Sequence, residues 1–397
     1  MKEDELQVLG TSNNRKKYRI SAIVAVCLVI VAVLFWLLIK GKPEKVLVMS
    51  AEGTTISPAL QGVADSLLNE KLKEIDGLQG QVIVMEVETG AIKAIVGRER
   101  RYDGQFQPCE NFAYQQELGS LTKVASLLVA LESGKAYLSD VIDTGSGVWG
   151  IDDERIMKDH NWRRGGYGQI TLDRAIEISS NIGISKTIWE LFKGHEQDFF
   201  QKLDSMSFGQ PNSVEGIEDL QNSRYNSPKD SDWVNKDILW SAIGYNRIIA
   251  PIQMLTFYNA IANNGKMVKP TMAPGLIEVI NEQIASKHNV ALMQQVLEHV
   301  VSQGLGKMAG STKVTVAGKT GTSQVNEYYD GDNTVSEYQL AFCGFFPADN
   351  PQYSMIVSLN KLGLPASGGG MAGPVFKQIV EWMCDYGMYY KEKQKTI

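Results

Sequence analysis

The segment Gln115–Gly134, QQELGSLTKVASLLVALESG, sets a serine and a lysine three residues apart at the head of an apolar run. Val124, Leu127, Leu128 and Leu131 recur at helical spacing after Gly119, and Gly134 supplies a stop. The spacing predicts a buried helix with Ser120 and Lys123 on one face of its first turn. The positive end of the helix dipole favours negative charge developing on Ser120. A lysine beside it is a candidate base for a serine nucleophile. The pair alone is a common pattern. A second match, Ser358 and Lys361 in YSMIVSLNKL, falls in a strand-like stretch, where residues three apart point to opposite faces. The meaning of the first match depends on its surroundings.

Those surroundings read as a large α+β domain. QVIVMEVETGAIKAIVG (81–97) predicts two strands around a tight turn at Thr89-Gly90. Thr171 opens a helix, TLDRAIEI, with Asp173 in its first turn; this helix breaks at SSN (179–181), and IGISKTIWELF continues as a further helix. Phe208 to Trp233 is polar and rich in Gly, Asn and Ser, and reads as a long surface excursion. PIQMLTFYNAIANNG and NVALMQQVLEHVVSQGLG are helical. KVTVAGKTGTS (313–323), YQLAFCGFF and QYSMIVSLN are strand-like, the last two joined by the loop PADNP. A final helix in GPVFKQIVEWM puts Val375, Phe376, Ile379, Val380 and Met383 on one face. Hairpin strands, then helices, then antiparallel strands, then a helix describe an antiparallel sheet flanked by helices.

The chain has 397 residues, a formal charge of -6 and 44% hydrophobic residues, enough for one large or two ordinary domains. The mild acidic excess argues against nucleic acid as a partner. Ile20–Ile39 carries no charge and is as long as a membrane-spanning helix requires. Arg15, Lys16, Lys17 and Arg19 precede it, which favours the N-terminus in the cytoplasm and the bulk outside. A cleaved signal peptide is the competing reading, but its apolar core would be shorter. The expected organisation is a cytoplasmic tail (1–19), a transmembrane anchor (20–39), a juxtamembrane linker (40–53), a catalytic domain (54–386) and a polar tail (387–397). Cys109, Cys343 and Cys384 would face the outer compartment; no metal-binding spacing appears among them.

Three short motifs stand in order: Ser120-x-x-Lys123 at a helix start, Ser179-Ser180-Asn181 where a helix breaks, and Lys319-Thr320-Gly321-Thr322 on a strand. Each is weak alone; together, in these contexts, they form the serine acyltransferase set. Rival readings of the letters fail. GKT at Gly318–Thr320 lacks the earlier glycine of a phosphate loop, and no G-x-S-x-G surrounds any serine. On these motifs the chain resembles the transpeptidase domain of penicillin-binding proteins, of the class B, monofunctional type, in the serine DD-peptidase/β-lactamase superfamily. GTTISPALQ, SFGQP, SAIGYNRIIAPIQMLTFYNAIANNGKMVKP and FFPADNPQYSMIV resemble further family stretches. Three positions depart from the pattern: Leu118 stands where proline is frequent, Ser57 where an acidic residue is usual, and GYNR (244–247) replaces GYGQ. Members usually carry a pedestal domain after the anchor; here Gly41–Gly53 reach at most roughly 40 Å.

The resemblance implies attack by Ser120 on the D-Ala-D-Ala bond of a peptidoglycan stem peptide, an acyl-enzyme, and transfer to a neighbouring amine, with β-lactams as inhibitors. It implies Lys123 as base, Ser179 as proton relay, Asn181 as a holder of the substrate amide, and Lys319, Thr320, Gly321 and Thr322 as the carboxylate-binding strand. Backbone N–H groups of Ser120 and Thr322 would form the oxyanion hole. No metal or organic cofactor is implied. The expected location is the bacterial cytoplasmic membrane, single-pass, with the domain outside and a glycosyltransferase nearby, serving cell shape or division. The alternatives are a β-lactamase, for which no E-x-x-L-N deacylation signature stands in the sequence, a β-lactam sensor, and a weak or inactive scaffold of a wall-synthesis complex.

Overall fold

A computed structural model describes residues 53–330 and 333–388. The expected anchor at 20–39, the tail before it, the linker up to residue 52 and residues 389–397 lie outside the described residues. Among the described residues no helix is long and apolar enough to cross a membrane.

The frame is one antiparallel sheet built from both ends of the domain. Its strands are β1 (Gly77–Glu86), β2 (Ile92–Arg100), β3 (Phe106–Pro108), β4 (Ala317–Asp330), β5 (Asn333–Phe346) and β6 (Tyr353–Leu362). The order across the sheet is β4-β5-β6-β1-β2-β3. The expected hairpin is the β1–β2 pair, with Val82 opposite Val96. On its other side β1 pairs with β6, Val82 opposite Val357. Sequence-distant halves therefore close on each other at the sheet centre. The nearly continuous burial of β1 and β6 is what a sheet covered on both faces requires.

Helix α1 (Pro58–Glu74) and helix α7 (Gly368–Asp385) cover one face. Helix α1 does so with one stripe, Leu60, Ala64, Leu68 and Leu72. Ser57, the departure noted above, is its N-cap: the hydroxyl accepts from the Leu60 N–H at 3.4 Å, and Pro58 fills the first helical position, where the missing N–H costs nothing. In α7 the five residues expected on one face are all buried, packed with Phe342 and Val357 of the sheet. The opposite face carries helix α5 (Pro251–Ala262), in which every residue is buried; its three polar side chains, Gln253, Thr256 and Asn259, are hydrogen-bonded, as buried polar groups require.

Between the two halves of the sheet the chain forms the helical part: α2 (Lys123–Glu132), α3 (Leu172–Glu177), α4 (Asn181–Phe192) and α6 (Lys287–Ser302). Boundaries near the site differ from the sequence reading. Gly119–Thr122 is a 3-10 turn that feeds α2, so the α-helix begins at Lys123. Residues 313–316 are irregular and β4 starts at Ala317, although Val314 and Val316 still enter the core. The 208–233 excursion is mostly irregular, pinned by buried Phe208, Val214 and Ile217.

Candidate active site

The site is assembled where β4 passes the head of α2. Gly119 has φ +52, a left-handed value that suits glycine, and turns the chain into the 3-10 segment. Such a turn has three residues per turn, so side chains three apart eclipse. Ser120 and Lys123 therefore stand one above the other. Tyr258 of α5 donates to the Leu121 carbonyl at 2.9 Å and ties the turn to the buried helix. Gly321 brings β4 against the same turn: a Cβ there would lie 2.8 Å from the Leu118 carbonyl oxygen and 3.1 Å from Leu121 Cγ. Ser323 Oγ donates to the Glu117 carbonyl at 2.6 Å and locks the contact. Thr322 Oγ1 accepts from the Gly368 N–H, at 3.0 Å, at the start of α7.

Lys123 is fully buried. Its Nζ donates to the Ser179 carbonyl at 2.7 Å and to Asn181 Oδ1 at 2.6 Å, and lies 3.2 Å from Ser179 Oγ. The side chain of Ser120 makes no hydrogen bond among the described residues. The lysine is thus the hub of the SSN segment rather than a partner bonded to Ser120 directly. Lys319, also fully buried, donates to Ser179 Oγ at 2.8 Å and to the Thr320 carbonyl at 2.9 Å. One hydroxyl stands between two amines.

The SSN segment owes its shape to a helix break. Ser179 has φ +55, a conformation that costs a non-glycine residue about 1–3 kcal/mol and tends to persist where the surroundings demand it. Ser180 caps α4, accepting from the Gly183 N–H at 2.9 Å. Its hydroxyl donates to Asp159 Oδ2 at 2.8 Å, while Asp159 Oδ1 accepts from the N–H groups of Asn181 at 2.6 Å and Ile182 at 3.1 Å. A buried carboxylate thus sits on the N-terminus of α4, where the dipole favours negative charge. Asn181 Nδ2 donates to the Lys158 carbonyl at 2.8 Å, leaving its oxygen aimed at Lys123. Sequence reasoning missed Asp159. It lies in a polar loop about twenty residues before the motif it holds, and no spacing rule connects the two.

Burial pulls the Lys123 amine down to about 7, a shift that the Asp159 carboxylate partly offsets. Burial and then the neighbouring Lys123 push Lys319 well below its ordinary value. A proton on one amine disfavours a proton on the other. The second Ser-x-x-Lys pair is dispersed, as its strand position requires: Ser358 accepts from Gln339 at 2.5 Å, and Lys361 donates to the Leu362 and Gly363 carbonyls. Among the described residues no group of His, Cys, Asp and Glu is placed to hold a metal ion, and Cys109, Cys343 and Cys384 form no disulfide.

The departures from the family pattern have local explanations. Leu118 is buried and its carbonyl accepts from the Leu121 N–H. In GYNR, Asn246 takes φ +58, which asparagine tolerates better than most residues. Arg247 lies buried between the rings of Tyr225 and Phe208, 4.2 and 4.9 Å from their centroids.

Comparison with known proteins agrees with this architecture. The transpeptidase domain of penicillin-binding protein 3 from Burkholderia pseudomallei superposes with a TM-score of 0.71 at 23% identity, covering 85% of this chain and 97% of that one. The Peptidoglycan D,D-transpeptidase FtsI homolog of Mesostigma viride is 25% identical over 373 residues, 82% of this chain and 60% of that protein. Stage V sporulation protein D of Bacillus subtilis is 26% identical over 320 residues, 75% of this chain and 48% of that protein. The chain thus spans about half to three fifths of the length of these relatives. Residues 80–381 match the model of the penicillin binding protein transpeptidase domain, and with more than half of its length inside that match the chain belongs to this family.

Proposed function

We propose that this chain is a serine D,D-transpeptidase that cross-links peptidoglycan stem peptides and is acylated by β-lactams. The observation that carries the reading is the Ser179 hydroxyl held between two buried amines, Lys123 at 3.2 Å and Lys319 at 2.8 Å. Two amines kept from full charge are costly in a core, and proton transfer gives them a use. In this reading Ser120 attacks the penultimate D-Ala carbonyl and its proton passes to Lys123. Ser179 relays a proton to the departing D-alanine. Asn181 orients Lys123 and the substrate amide. Lys319, Thr320, Gly321 and Thr322 form the edge that takes the terminal carboxylate, and N–H groups of Ser120 and Thr322 receive the oxyanion, a device often worth ~3 kcal/mol per donor. An amine from a second stem then takes the acyl group, and Ser120 is regenerated.

The wider organisation belongs to the same proposal: an anchor at 20–39, the domain outside the cytoplasmic membrane, and a glycosyltransferase partner that supplies nascent strands. The relatives' names, with peptidoglycan transpeptidation in one and sporulation in another, support wall synthesis as the setting.

A non-catalytic scaffold is the second reading, favoured by the Ser120 hydroxyl lacking a hydrogen bond to Lys123. Catalytic hydrogen bonds, however, often tighten only when substrate is bound. Intact-protein mass spectrometry after incubation with benzylpenicillin tests the two. The transpeptidase reading expects one drug mass on the peptide that contains Ser120, stable for many minutes. No adduct with several β-lactams in a folded chain favours the scaffold; rapid loss of the adduct favours a β-lactamase.

A further inference from the structure

The chain enters the domain beside an exposed apolar loop. The Thr55 N–H donates to the Met272 carbonyl at 2.9 Å, and the Thr55 hydroxyl donates to the Ile92 carbonyl at 2.7 Å. Thr271 braces the same junction: its N–H donates to the Gly90 carbonyl at 2.9 Å, and its carbonyl accepts from the Ile92 N–H at 2.8 Å. The loop that follows is closed at its base by the Lys269 N–H on the Glu278 carbonyl at 2.8 Å and by Val268 paired with Val279. Its tip is therefore held at a fixed place relative to the entry point at Thr55.

Ala273, Pro274, Gly275, Leu276 and Ile277 form that tip, turned by Gly275 at φ +75. Leu276 is 45% and Ile277 53% exposed, with Pro274 exposed beside them. A lone exposed aliphatic side chain is ordinary, but a braced turn that presents two in succession makes a small apolar projection. The charges around it are spent on each other: Lys269 faces Glu278 at 3.0 Å, Lys93 faces Glu86 at 3.7 Å and Lys266 faces Glu282 at 3.9 Å. Glu88, exposed at the turn of the β1–β2 hairpin, adds an acid. This face carries no cationic excess, and apolar contact is what it offers.

The tether decides what the projection meets. Thirteen residues, 40–52, lie between the anchor expected at 20–39 and Gly53. As a flexible chain they span about 20 Å on average. A domain of this length has a radius of gyration of about 20 Å and is roughly 50 Å across. The entry face therefore meets the bilayer far more often than the face opposite. We propose that Leu276 and Ile277 insert into the headgroup boundary of the membrane that holds the chain. The inference rests on the anchor in the reading above and adds to it the face that the domain turns to the lipid. Tethering keeps the loop at an effective concentration on the order of millimolar, so two aliphatic side chains entering the boundary to a depth of about 5–10 Å suffice.

The test uses the full-length chain reconstituted in phosphatidylcholine vesicles, with the photo-cross-linking residue p-benzoylphenylalanine placed at Ile277 or at Tyr102. Tyr102 is fully exposed and lies beyond the far end of β2, and the nine residues of that strand separate it from the Ile92 junction by about 30 Å. After illumination, lipid adducts are measured by mass on the peptide that carries the probe. The yield at Ile277 is expected to exceed that at Tyr102 by about fivefold or more. Leu276→Ser should cut the Ile277 yield by about threefold while leaving the melting temperature unchanged. Adding phosphatidylglycerol or salt to about 0.5 M should leave that yield within about twofold, because the contact is not electrostatic. Equal yields at the two positions, no lipid adduct at Ile277, a yield that ignores Leu276→Ser, a cross-link to a second copy of the chain in place of lipid, or an adduct that requires anionic lipid each overturns the insertion; if the chain still floats with the vesicles, the anchor stands. A chain that does not float with them overturns both.

Discussion

Replacing Asp159 with asparagine should lower the pH at which the enzyme becomes acylated. Asparagine keeps an oxygen for the Asn181 and Ile182 N–H groups and a polar partner for Ser180, so α4 stays capped while the charge is lost. That charge holds the Lys123 amine above the value burial alone would set. The coupling runs through one residue: Asn181 N is 2.6 Å from Asp159 Oδ1, and Asn181 Oδ1 is 2.6 Å from Lys123 Nζ. For a carboxylate and an amine on the order of 7 Å apart at an effective dielectric of about 20, the interaction is about 2 kcal/mol. That is about one to two pH units. On the proposed reading, in which only the neutral Lys123 amine accepts the Ser120 proton, wild-type acylation by benzylpenicillin should rise about tenfold per unit up to about pH 7 and then level. In Asp159→Asn the midpoint should move to about pH 5–6, with a plateau about three- to tenfold lower because a weaker base removes the proton. The assay is the rate of adduct formation by intact mass from pH 5 to 9, with circular dichroism melts to establish folding. A midpoint that stays near 7 or rises in a folded variant would show that Lys123 is not the titrating base or that Asp159 does not set its charge.

Other outcomes follow from the same geometry. Ser120→Ala should abolish the penicillin adduct while leaving the melting temperature within about a degree, since surface-side changes away from packed contacts are usually small; surviving label on another residue would remove Ser120 from its role. Gly321→Ala places a methyl 2.8 Å from the Leu118 carbonyl, so it should cost about 1–3 kcal/mol in chemical denaturation and slow acylation by more than about tenfold through displacement of the oxyanion and carboxylate positions; native rates in that variant refute the docking argument. For stability, the Lys123 amine falls to about 7 in the folded chain from an ordinary 10.5. Between those values the unfolded chain binds the extra proton, so the stability of wild type relative to Lys123→Met should climb with pH by up to about 1.4 kcal/mol per unit above pH 7 and stay flat below it; urea titrations at pH 6, 7 and 9 measure this, and a falling difference contradicts the burial argument. Arg247, buried with both terminal nitrogens unpartnered, predicts that Arg247→Met is neutral or stabilising by about 1 kcal/mol while Arg247→Ala costs about 2–4 kcal/mol by opening a cavity; a loss above 2 kcal/mol for Met would show that the stacked cation is the stabilising element.

Much of the frame was legible because local chemistry and global position agree. The short, nearly continuous apolar runs of β1, β2, β5 and β6 are bounded by turn residues. Helix α5, apolar apart from Gln253, Thr256 and Asn259, is legible as a helix in the sequence, whereas α1 was not read as one. What stayed hidden depends on contacts distant in sequence. Nothing in the letters says that β1 pairs with β6 across more than two hundred and fifty residues, or that 313–316 leave the sheet while keeping their valines in the core. The KTGT strand and the Ser120 turn could each be recognised, but the reason they meet is a missing side chain at Gly321. Asp159 was invisible for the same reason: an acidic residue in a polar loop has no periodicity, and only the folded chain shows it on the N-terminus of α4.

The SSN segment shows why the motif spacing is loose while the geometry is tight. Lys123 enters from the head of α2 and Lys319 from the edge strand, and neither element contacts the other through these side chains except by way of Ser179. The hydroxyl can serve both only because Ser179 is held at φ +55 between two helices, with its carbonyl turned to Lys123 at 2.7 Å. A continuous helix from Leu172 to Phe192 would give Ser179 an ordinary helical φ and engage that carbonyl within the helix. Asp159 is what makes the break affordable, by satisfying the N–H groups that a new helix start exposes. The same carboxylate then offsets part of the burial that would otherwise keep Lys123 neutral at any physiological pH. One side chain thus supports the shape of the break and biases the charge state of Lys123, so on the proposed reading its replacement should change the pH dependence of acylation before it changes the fold.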